Sequence, residues 1–294
     1  MSFKFSVVIP TYNAESFIEE QLQAVWGGTL KPDQIIISNN GSTDNTCSVV
    51  QKLQLTIPVL EIVDSSAMQG VNYARNVGII HARHEHVLIC DADDIVASTW
   101  AQKMIASLSA YDLVGSGHQE LVYSDKLSTY VQERVVIDQP KVFANQKYLL
   151  GGNLALRKTV FETLGGFDCS YRGGHDEVDF CLRASRLGYT QGWISEPLIQ
   201  YRQRVSDKAL FKQFYNYGRT WVQLALNFSP DFNEYIPSFK LMARKLAVTL
   251  REYLLSRDKS RARLQQLSWD LGRLYGVFVY RSLGQKPDRV LVDR

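Results

Sequence analysis

Three carboxylates fall within four residues, directly after an apolar run. Asp91, Asp93 and Asp94 follow His86–Cys90, whose apolar residues predict a buried strand. Because neighbouring carboxylates repel one another, a cation is expected to offset their charge. Magnesium and manganese prefer oxygen ligands, and magnesium is often held by one or two carboxylates together with substrate phosphates. The alternative is an acidic turn whose aspartates cap a helix that starts near Ser98.

Two polar loops follow the first two predicted strands. In Pro10–Asn13, Tyr12 can stack on a base, while Thr11 and Asn13 can bond a ribose or a phosphate. In Asn39–Asp44, the two asparagine amides offer donors and acceptors to a base edge, and Gly41 permits a tight turn. Each loop is also compatible with a plain turn that caps the following helix.

Two further segments carry charges suited to a substrate. Arg75, within Gly70–Gly78, can neutralise a phosphate, although a surface salt bridge is the alternative. Asp176, Glu177 and Asp179 lie at the start of a predicted helix, where the helix dipole favours ionised carboxylates. Such a group suits a carboxylate base or a metal-linked site, and helix capping is the alternative.

Strand and helix patterns alternate through the first half of the chain. The predicted elements are strands at Lys4–Ile9, Gln34–Ser38, Val59–Val63 and His86–Cys90, and helices at Glu15–Val25, Thr43–Leu53 and Val71–His81. This alternation predicts an α/β fold with a mostly parallel sheet covered by helices on both faces. Ligands of such sheets bind beyond the carboxyl ends of the strands, where the polar loops lie.

The pattern changes after about residue 115. The predicted elements are antiparallel strands at Gly117–Tyr123 and Ser128–Ile137, a segment Gly151–Leu156, a helix at Asp176–Leu187, and helices from Asp207 onward with breaks near Pro230, Pro237 and Ser256–Ser260. We therefore expect a C-terminal helical region after the sheet.

Composition and charge limit the classes of protein that fit. The chain has 294 residues, of which 45% are hydrophobic, so it has enough apolar material for a core. It contains no run long enough to span a membrane, and its first residues lack a signal-peptide pattern, which predicts a cytoplasmic location. No nucleic-acid-binding module is present, so no nucleic-acid partner is expected.

The C-terminal third is strongly basic. Residues 1–202 carry a net charge of −6, and residues 203–294 carry +9. Basic and apolar residues interleave at helical spacing over residues 238–283. They predict amphipathic helices that pack on the catalytic domain or on a second copy in a homodimer. The alternative is peripheral association with an anionic membrane, at its inner face for a cytoplasmic protein.

The ordered set of motifs resembles the inverting GT-A glycosyltransferases of family 2. The motifs are VVIPTYN (7–13), NNGSTDNT (39–46), GVNYARNVGI (70–79), DADD (91–94), GGNLALRK (151–158), GGFD (165–168) and DEVDFCLRASRLGY (176–189). The resemblance covers residues 4–202. It implies a Rossmann-like GT-A domain over 1–204, with a sugar-nucleotide half (1–115) and an acceptor half (116–204), followed by a basic helical region over 205–294.

The resemblance also implies a reaction and a set of site residues. A sugar would pass from a nucleotide-diphosphate sugar, with UDP as the expected nucleotide, to a hydroxyl of a saccharide or lipid-linked acceptor. The reaction would invert the anomeric centre, use Mg²⁺ or Mn²⁺, and serve cell-surface polysaccharide or glycolipid synthesis. The implied residues are Pro10, Thr11, Tyr12, Asn13, Asn39, Asn40, Asp44, Arg75, Asp91 and Ala92 for the nucleotide sugar, Asp93 for the metal, Gly152, Asn153 and Asp176 for the donor or acceptor sugar, and Glu177 or Asp176 for catalysis.

The sequence departs from the family pattern at three places. Asp176-Glu177 reverses the usual order of the acid pair, so Glu177 matches the position of the base and Asp176 is its rival. Asn39-Asn40 stands where the family often has Asp-Asp or Asp-Asn, and an amide oxygen can still accept from a uracil or thymine N–H. No histidine occurs at 199–204, where Arg202 and Arg204 are candidates to neutralise the leaving group. These departures leave open a non-catalytic protein that binds sugar nucleotides and retains the fold.

Overall fold

The computed structural model describes residues 4–124, 129–143, 145–228, 237–256 and 260–292. The chain forms two compact units. The first comprises Met1–Phe167, Phe180–Gln203 and Leu291–Arg294, and the second comprises Asp168–Asp179 and Arg204–Val290. The segment 168–179 therefore groups with the C-terminal helices.

The first unit is built on a large sheet. Its strands are β1 (Phe5–Thr11), β2 (Gln34–Asn39), β3 (Leu60–Asp64), β4 (His86–Cys90), β5 (Ile95–Val96), β6 (Leu113–Ser124), β7 (Thr129–Ile137), β10 (Asn153–Arg157) and β11 (Gln191–Arg202), and β8 (Lys141–Phe143) pairs with β9 (Gln146–Tyr148) in a separate hairpin. The order across the sheet is β3-β2-β1-β4-β10-β6-β11-β5, and β7 pairs with β6. The α/β class predicted from the sequence is confirmed.

The first four strands pair in parallel and end at the same edge. β1 pairs with β2 and β4, and β2 pairs with β3. In this register Thr11 lies beside Asn39, and Asn39 lies beside Asp64. β10 then runs antiparallel to both β4 and β6, whereas β11 runs parallel to β6. The polar loops after β1, β2 and β4 therefore leave one edge of the sheet, as expected for an open α/β fold.

Apolar residues hold this sheet because its central strands are buried on both faces. All seven residues of β1 are buried, as are the first five of β2. The helices of the unit are α1 (Ile18–Trp26), α2 (Thr46–Leu53), α3 (Val71–His81), α4 (Trp100–Ser107) and α5 (Lys158–Leu164), and α6 (Asp176–Arg186) begins in the second unit and continues into the first. Helix α3 approaches β1 so closely that a Cβ on Gly78 would overlap Val8.

The second unit is helical. Its helices are α7 (Asp207–Phe228), α8 (Phe239–Leu255) and α9 (Arg261–Gly276), and a π-helical segment, Val277–Ser282, continues α9. Helices α7 and α9 pack backbone against backbone, since a Cβ on Gly218 would overlap the Trp269 carbonyl and a Cβ on Gly272 would overlap the Tyr215 carbonyl. The expected C-terminal helical region is confirmed. Within the described segments, no helix is long and apolar enough to cross a membrane.

Most predicted elements are present, with ends that move by a few residues. Helix α3 and strand β4 have the predicted bounds, and α1 begins at Ile18 rather than Glu15. Sequence reasoning missed α5, β5, the β8–β9 hairpin and β11. Ser128 and Pro230, named above as a strand start and a helix break, lie outside the described residues.

Candidate functional site

The loops after β1 and β2 are joined by hydrogen bonds. The Asn13 side-chain oxygen accepts from the Thr43 N–H at 2.8 Å, and the Asn13 N–H donates to the Ser42 hydroxyl at 3.0 Å. Asn13 has a φ of 48°, in the left-handed region that asparagine tolerates better than most residues. Tyr12 is exposed beside this turn, while the Thr11 hydroxyl is buried and bonds the Ile9 carbonyl. The loops therefore form one fixed surface with an accessible aromatic ring.

Asp44 stabilises the starts of two helices. Its carboxylate accepts from the Glu15 N–H and the Thr46 N–H, each at 3.1 Å, and from the Thr46 hydroxyl at 2.5 Å. Burial raises the pKa of Asp44, but these hydrogen bonds outweigh it and the net pKa is lowered. Asp44 is thus held as an anion, and much of its acceptor capacity is used inside the protein.

The two asparagines after β2 differ in their surroundings. Asn40 is buried, and its amide donates to the Ser65 carbonyl and, at 2.8 Å, to the Met68 carbonyl. Its side-chain oxygen accepts from the Gly70 N–H at 2.9 Å. Both amide hydrogens of Asn40 are therefore used to hold residues 65–70, so it shapes the loop from within. Asn39 is only half-buried, so it lies nearer to solvent than Asn40, and its side-chain oxygen accepts from the Ser42 N–H at 3.1 Å.

Arg75 and Asp91 form an ion pair at the carboxyl edge of the sheet. A guanidinium nitrogen of Arg75 lies 3.1 Å from Asp91 Oδ1, and the side chains are 5% and 30% exposed respectively. Arg75 also lies 5.8 Å from the Phe167 ring centre. The salt bridge of the alternative interpretation is present, but the arginine side chain in it is buried rather than at the surface. A positive group and a partly exposed carboxylate are thus fixed together at the expected ligand edge.

Two glycines allow this pair to form. A Cβ on Gly151 would overlap the Arg75 guanidinium, and a Cβ on Gly152 would overlap the Asp91 carboxylate. The next residue, Asn153, is buried and bonds inward, donating to the Ser116 carbonyl at 2.9 Å. Gly152 therefore lies directly against a candidate donor-binding residue, whereas the amide of Asn153 braces the sheet.

The three clustered aspartates have separate roles. Asp91 pairs with Arg75, and Asp94 is buried, with Oδ1 accepting from the Arg202 N–H at 3.2 Å. Asp93 is half-buried, and Ala92, which lies between Asp91 and Asp93, is buried. Strand β5 follows at once, and α4 begins at Trp100 with no side-chain cap. The alternative that these aspartates cap the following helix is therefore wrong.

Arg202 holds this aspartate loop from the far end of β11. Its guanidinium donates to the Asp93 carbonyl at 3.0 Å and to the Glu20 carboxylate. It also lies 5.2 Å from the Phe17 ring and 5.5 Å from the Tyr130 ring. These contacts give Arg202 a structural role at the aspartate loop, and that Arg202 or Arg204 neutralises a leaving group stays a prediction.

Gln21 is a further support that sequence reasoning missed. It is buried on α1, where it donates to the Asp91 carbonyl at 2.8 Å and accepts from the Val96 N–H at 3.1 Å. It thereby brackets the whole aspartate loop. The sequence could have indicated this role, because Gln21 lies three residues after Ile18 on the apolar face of the helix, where a buried polar side chain needs a hydrogen-bond partner.

The residues around Asp93 fit a magnesium or manganese ion only with help from a substrate. Within the described residues, no group of three or more His, Cys, Asp or Glu side chains could hold a metal ion. One oxygen of Asp91 is paired with Arg75, so Asp93 is the main protein ligand on offer. A hard cation that takes one or two carboxylates and completes its shell with diphosphate oxygens suits this donor set.

In the second unit, α6 begins in a strained turn. Gly173, Gly174 and His175 have φ values of 92°, 144° and 67°. A Cβ on Gly174 would overlap the Tyr217 ring, so the turn packs closely on α7. A left-handed non-glycine residue costs about 1 kcal/mol or more and persists where its surroundings hold it. Such strain is frequent at functional sites.

The imidazole ring of His175 is held by a hydrogen bond and by neighbouring aromatic rings. Its Nδ1 lies 2.8 Å from the Thr220 hydroxyl, and that hydroxyl donates to the Asn216 carbonyl at 2.8 Å. The rings of Tyr217, Trp221 and Trp269 lie 5.7 to 6.2 Å away.

The acids that follow this turn differ in exposure. Asp176 is 1% exposed, whereas Glu177 is only half-buried. Asp179 is fully buried and lies 3.1 Å from the Arg289 guanidinium, which also lies 3.3 Å from Asp168. Asp179 thus belongs to a structural ion-pair network, and Glu177 is the accessible carboxylate at the start of the helix.

Sequence and structure comparisons place the chain among sugar transferases. Residues 6–179 match the family model described as glycosyl transferase family 2. Glycosyltransferase AglE of Haloferax volcanii is 26% identical over 71% of this chain and 70% of its own length. The O-antigen chain rhamnosyltransferase RfbN of Salmonella typhimurium is 21% identical over 75% and 74%. A GalNAc(5)-diNAcBac-PP-undecaprenol beta-1,3-glucosyltransferase of Campylobacter jejuni is 33% identical, over 32% and 31%.

Solved structures share the fold. The mannosyltransferase PcManGT from Pyrobaculum calidifontis, in complex with GDP-Man and Mn²⁺, superposes with a TM-score of 0.66 at 18% identity, over 96% of this chain and 88% of that one. TarS 1–349 of S. aureus with UDP-GlcNAc gives 0.55 at 17% identity, over 96% and 93%. These likenesses confirm the GT-A fold with its C-terminal helical region. By the family match over more than half of its length, the chain belongs to glycosyltransferase family 2.

Proposed function

We propose that this enzyme transfers a sugar from a UDP-sugar to a hydroxyl of a saccharide or lipid-linked acceptor, with inversion, in cell-surface polysaccharide or glycolipid synthesis. The observation that carries the proposal is the Arg75–Asp91 pair beside Asp93, at the edge where the parallel strands end. This arrangement presents to one bound substrate a fixed carboxylate in Asp91, a carboxylate for a metal ion in Asp93 and a buried positive charge in Arg75. RfbN and the C. jejuni relative, named for an O-antigen and an undecaprenol-linked glycan, support this acceptor class.

The first unit would bind the donor. The exposed Tyr12 ring would stack on the base, and Asn39 would offer its amide to the base edge, within a surface shaped by Pro10, Thr11, Asn13, Asn40 and Asp44. Asp91, beside Ala92, would accept hydrogen bonds from the ribose or the donor sugar, with Gly152 leaving room for it. The C-terminal side of this loop is rigid because Arg202 holds the Asp93 carbonyl and the Asp94 carboxylate holds the Arg202 N–H.

Asp93 would hold Mg²⁺ or Mn²⁺ on the donor diphosphate. A divalent ion bound there would offset the negative charge that grows on the departing diphosphate. The neighbouring structure with GDP-Man and Mn²⁺ supports a divalent ion in this fold. Asp93 suits the task because its side chain is half-buried rather than enclosed.

Glu177 would act as the general base. Its carboxylate would take the proton of the acceptor hydroxyl while that oxygen attacks the anomeric carbon and the bond to the diphosphate breaks. A single displacement of this kind inverts the anomeric centre. Burial of Asp176 favours Glu177, because an acceptor cannot reach a carboxylate that is 1% exposed. The strained turn would keep Glu177 in place.

The test is a donor panel with two readouts. Full-length protein is incubated with UDP-, GDP- and dTDP-sugars and an acceptor panel, with and without Mn²⁺, and nucleoside diphosphate release and donor binding are both measured. We expect metal-dependent release with a UDP-sugar and a product of inverted configuration. Release only with a GDP- or dTDP-sugar would overturn the proposal that the donor nucleotide is UDP. Binding without release from any donor would instead support a non-catalytic sugar-nucleotide-binding protein.

A further inference from the structure

Helix α8 exposes an unusual amount of apolar surface. Six of its large apolar side chains are between 42% and 71% exposed, namely Phe239, Leu241, Val248, Leu250, Leu254 and Leu255. Met242 is its only buried residue. A helix on the surface of a water-soluble domain normally turns its polar face outward, and contiguous exposed apolar patches mark interaction sites. Helix α8 therefore presents an apolar surface of the kind that binds a partner or a membrane.

The exposed residues of α8 form stripes. Leu241, Val248 and Leu255 follow one another at seven-residue spacing, so they lie along one side of the helix. Arg244 and Arg251, also seven residues apart, run beside them and are exposed. Lys245 is excluded from this set, because it lies 3.0 Å from Asp270. An apolar stripe next to a row of guanidinium groups is the pattern of a helix that lies in a membrane interface.

A cleft lies at the C-terminal end of the apolar stripe. It has a volume of about 350 Å³ and is lined by Val248, Arg251, Glu252, Leu255, Ser256 and Arg263. Arg251 comes from α8 and Arg263 from α9. In the described part of the chain, neither guanidinium has a hydrogen-bond or ion-pair partner. Two unpaired guanidiniums with apolar walls suit a phosphate that carries acyl chains, and Glu252 leaves a net positive charge.

We propose that the α8 face docks on an anionic phospholipid bilayer, with Leu241, Val248 and Leu255 at the acyl boundary and a lipid phosphate between Arg251 and Arg263. Charge complementarity favours this occupant over a second copy of the chain. A symmetric contact through the same face would bring Arg244 and Arg251 of both copies together, with only Glu252 of each copy to offset them. Docking would hold a transferase beside lipid-linked acceptors.

Vesicle sedimentation of the full-length protein tests this docking. Vesicles of phosphatidylcholine with phosphatidylglycerol are compared with phosphatidylcholine alone, without any sugar donor, so the outcome is independent of the transferase activity. We expect binding only to the anionic vesicles, with a steep loss as salt rises. Arg251→Gln with Arg263→Gln should weaken binding by about tenfold or more. Leu241→Ser with Val248→Ser should also weaken it.

The matched control is Lys208→Gln with Lys212→Gln, which removes the same charge from exposed positions on α7 in the same unit. This control should bind nearly as the natural protein does, and circular dichroism should show that every variant is folded. Equal losses in the control and the arginine variant would overturn a specific face. So would a full-length protein that ignores anionic vesicles at low salt, or one that forms dimers which the Leu241→Ser, Val248→Ser variant abolishes.

Discussion

The guanidinium of Arg75 lies 3.1 Å from the carboxylate of Asp91, and the two residues come from helix α3 and from the loop after β4. The pair is asymmetric, because the arginine is buried and the aspartate is partly exposed. Arg75 can therefore hold Asp91 in one position while Asp91 keeps a side open to a ligand. Gly151 and Gly152 provide the space that this arrangement needs.

Replacing Gly152 with alanine tests the pair. The added Cβ would overlap Asp91, so the carboxylate must turn away from Arg75. We expect sugar-nucleotide affinity to fall by about tenfold and the free energy of unfolding to fall by about 1–3 kcal/mol, as for other overpacked sites. Calorimetric titration and urea unfolding measure the two effects. Unchanged donor affinity would mean that the position of Asp91 does not matter to the ligand.

The Arg202 support is tested by Arg202→Lys and Arg202→Gln. Lysine keeps the charge but cannot bond both the Asp93 carbonyl and Glu20 with a planar fork. We therefore expect both variants to raise the metal concentration needed for half-maximal donor binding, by about tenfold. Lys103→Gln is the control, because the Lys103–Glu196 pair is exposed and such pairs contribute little. If Arg202→Lys matches the natural protein, the fork geometry is irrelevant.

The metal ligand is tested by Asp93→Asn. The change keeps the size of the side chain but removes a charged oxygen, so turnover should fall by at least about 10²-fold and Mn²⁺ should no longer strengthen nucleotide binding. Asp64→Asn is the matched control, since Asp64 ends β3 at the same sheet edge and its carboxylate bonds the Ser66 N–H. Near-normal turnover of Asp93→Asn would remove Asp93 from the site.

Local patterns predicted much of the first unit. Helix α3 and strand β4 were found with their observed bounds, because helical spacing and a short apolar run are each determined locally. Strand β11 escaped prediction because Glu196, Pro197 and several exposed positions interrupt its pattern. It is a strand because it pairs with β6 across register shifts near Pro197, which no local pattern records.

Residue types at the site were also predictable, but their partners were not. The sequence placed Arg75 and Asp91 at one sheet edge, yet their ion pair depends on Gly151 and Gly152, some 60 residues after Asp91. Asn40 was correctly placed after β2, but only the structure shows that its amide is used by the 65–70 segment. Asp94 and Arg202 are 108 residues apart and meet only through the folded sheet.

A buried histidine predicts a pH effect on stability. Burial, with a smaller contribution from Lys141, lowers the pKa of His118 from 6.5 to about 4. The folded protein therefore keeps His118 neutral, while the unfolded chain takes up a proton below pH 6.5. Stability from this residue is present above pH 6.5 and is lost as the pH falls toward 4. Urea unfolding at pH 7 and pH 5 should show a loss of about 1–2 kcal/mol that His118→Phe reduces. An equal loss in both proteins would exclude His118 as the cause.

The two acids at the start of α6 give the final prediction. Glu177 is half-buried and Asp176 is 1% exposed, so only Glu177 is accessible to an acceptor hydroxyl. Glu177→Gln should lower turnover by about 10²–10⁴-fold, the usual contribution of a positioned general base, with little change in donor affinity. Asp176→Asn should instead lower the free energy of unfolding and leave turnover close to that of the natural protein. If Asp176→Asn gives the kinetic loss and Glu177→Gln does not, the base is Asp176, and its exposure must change when the acceptor binds.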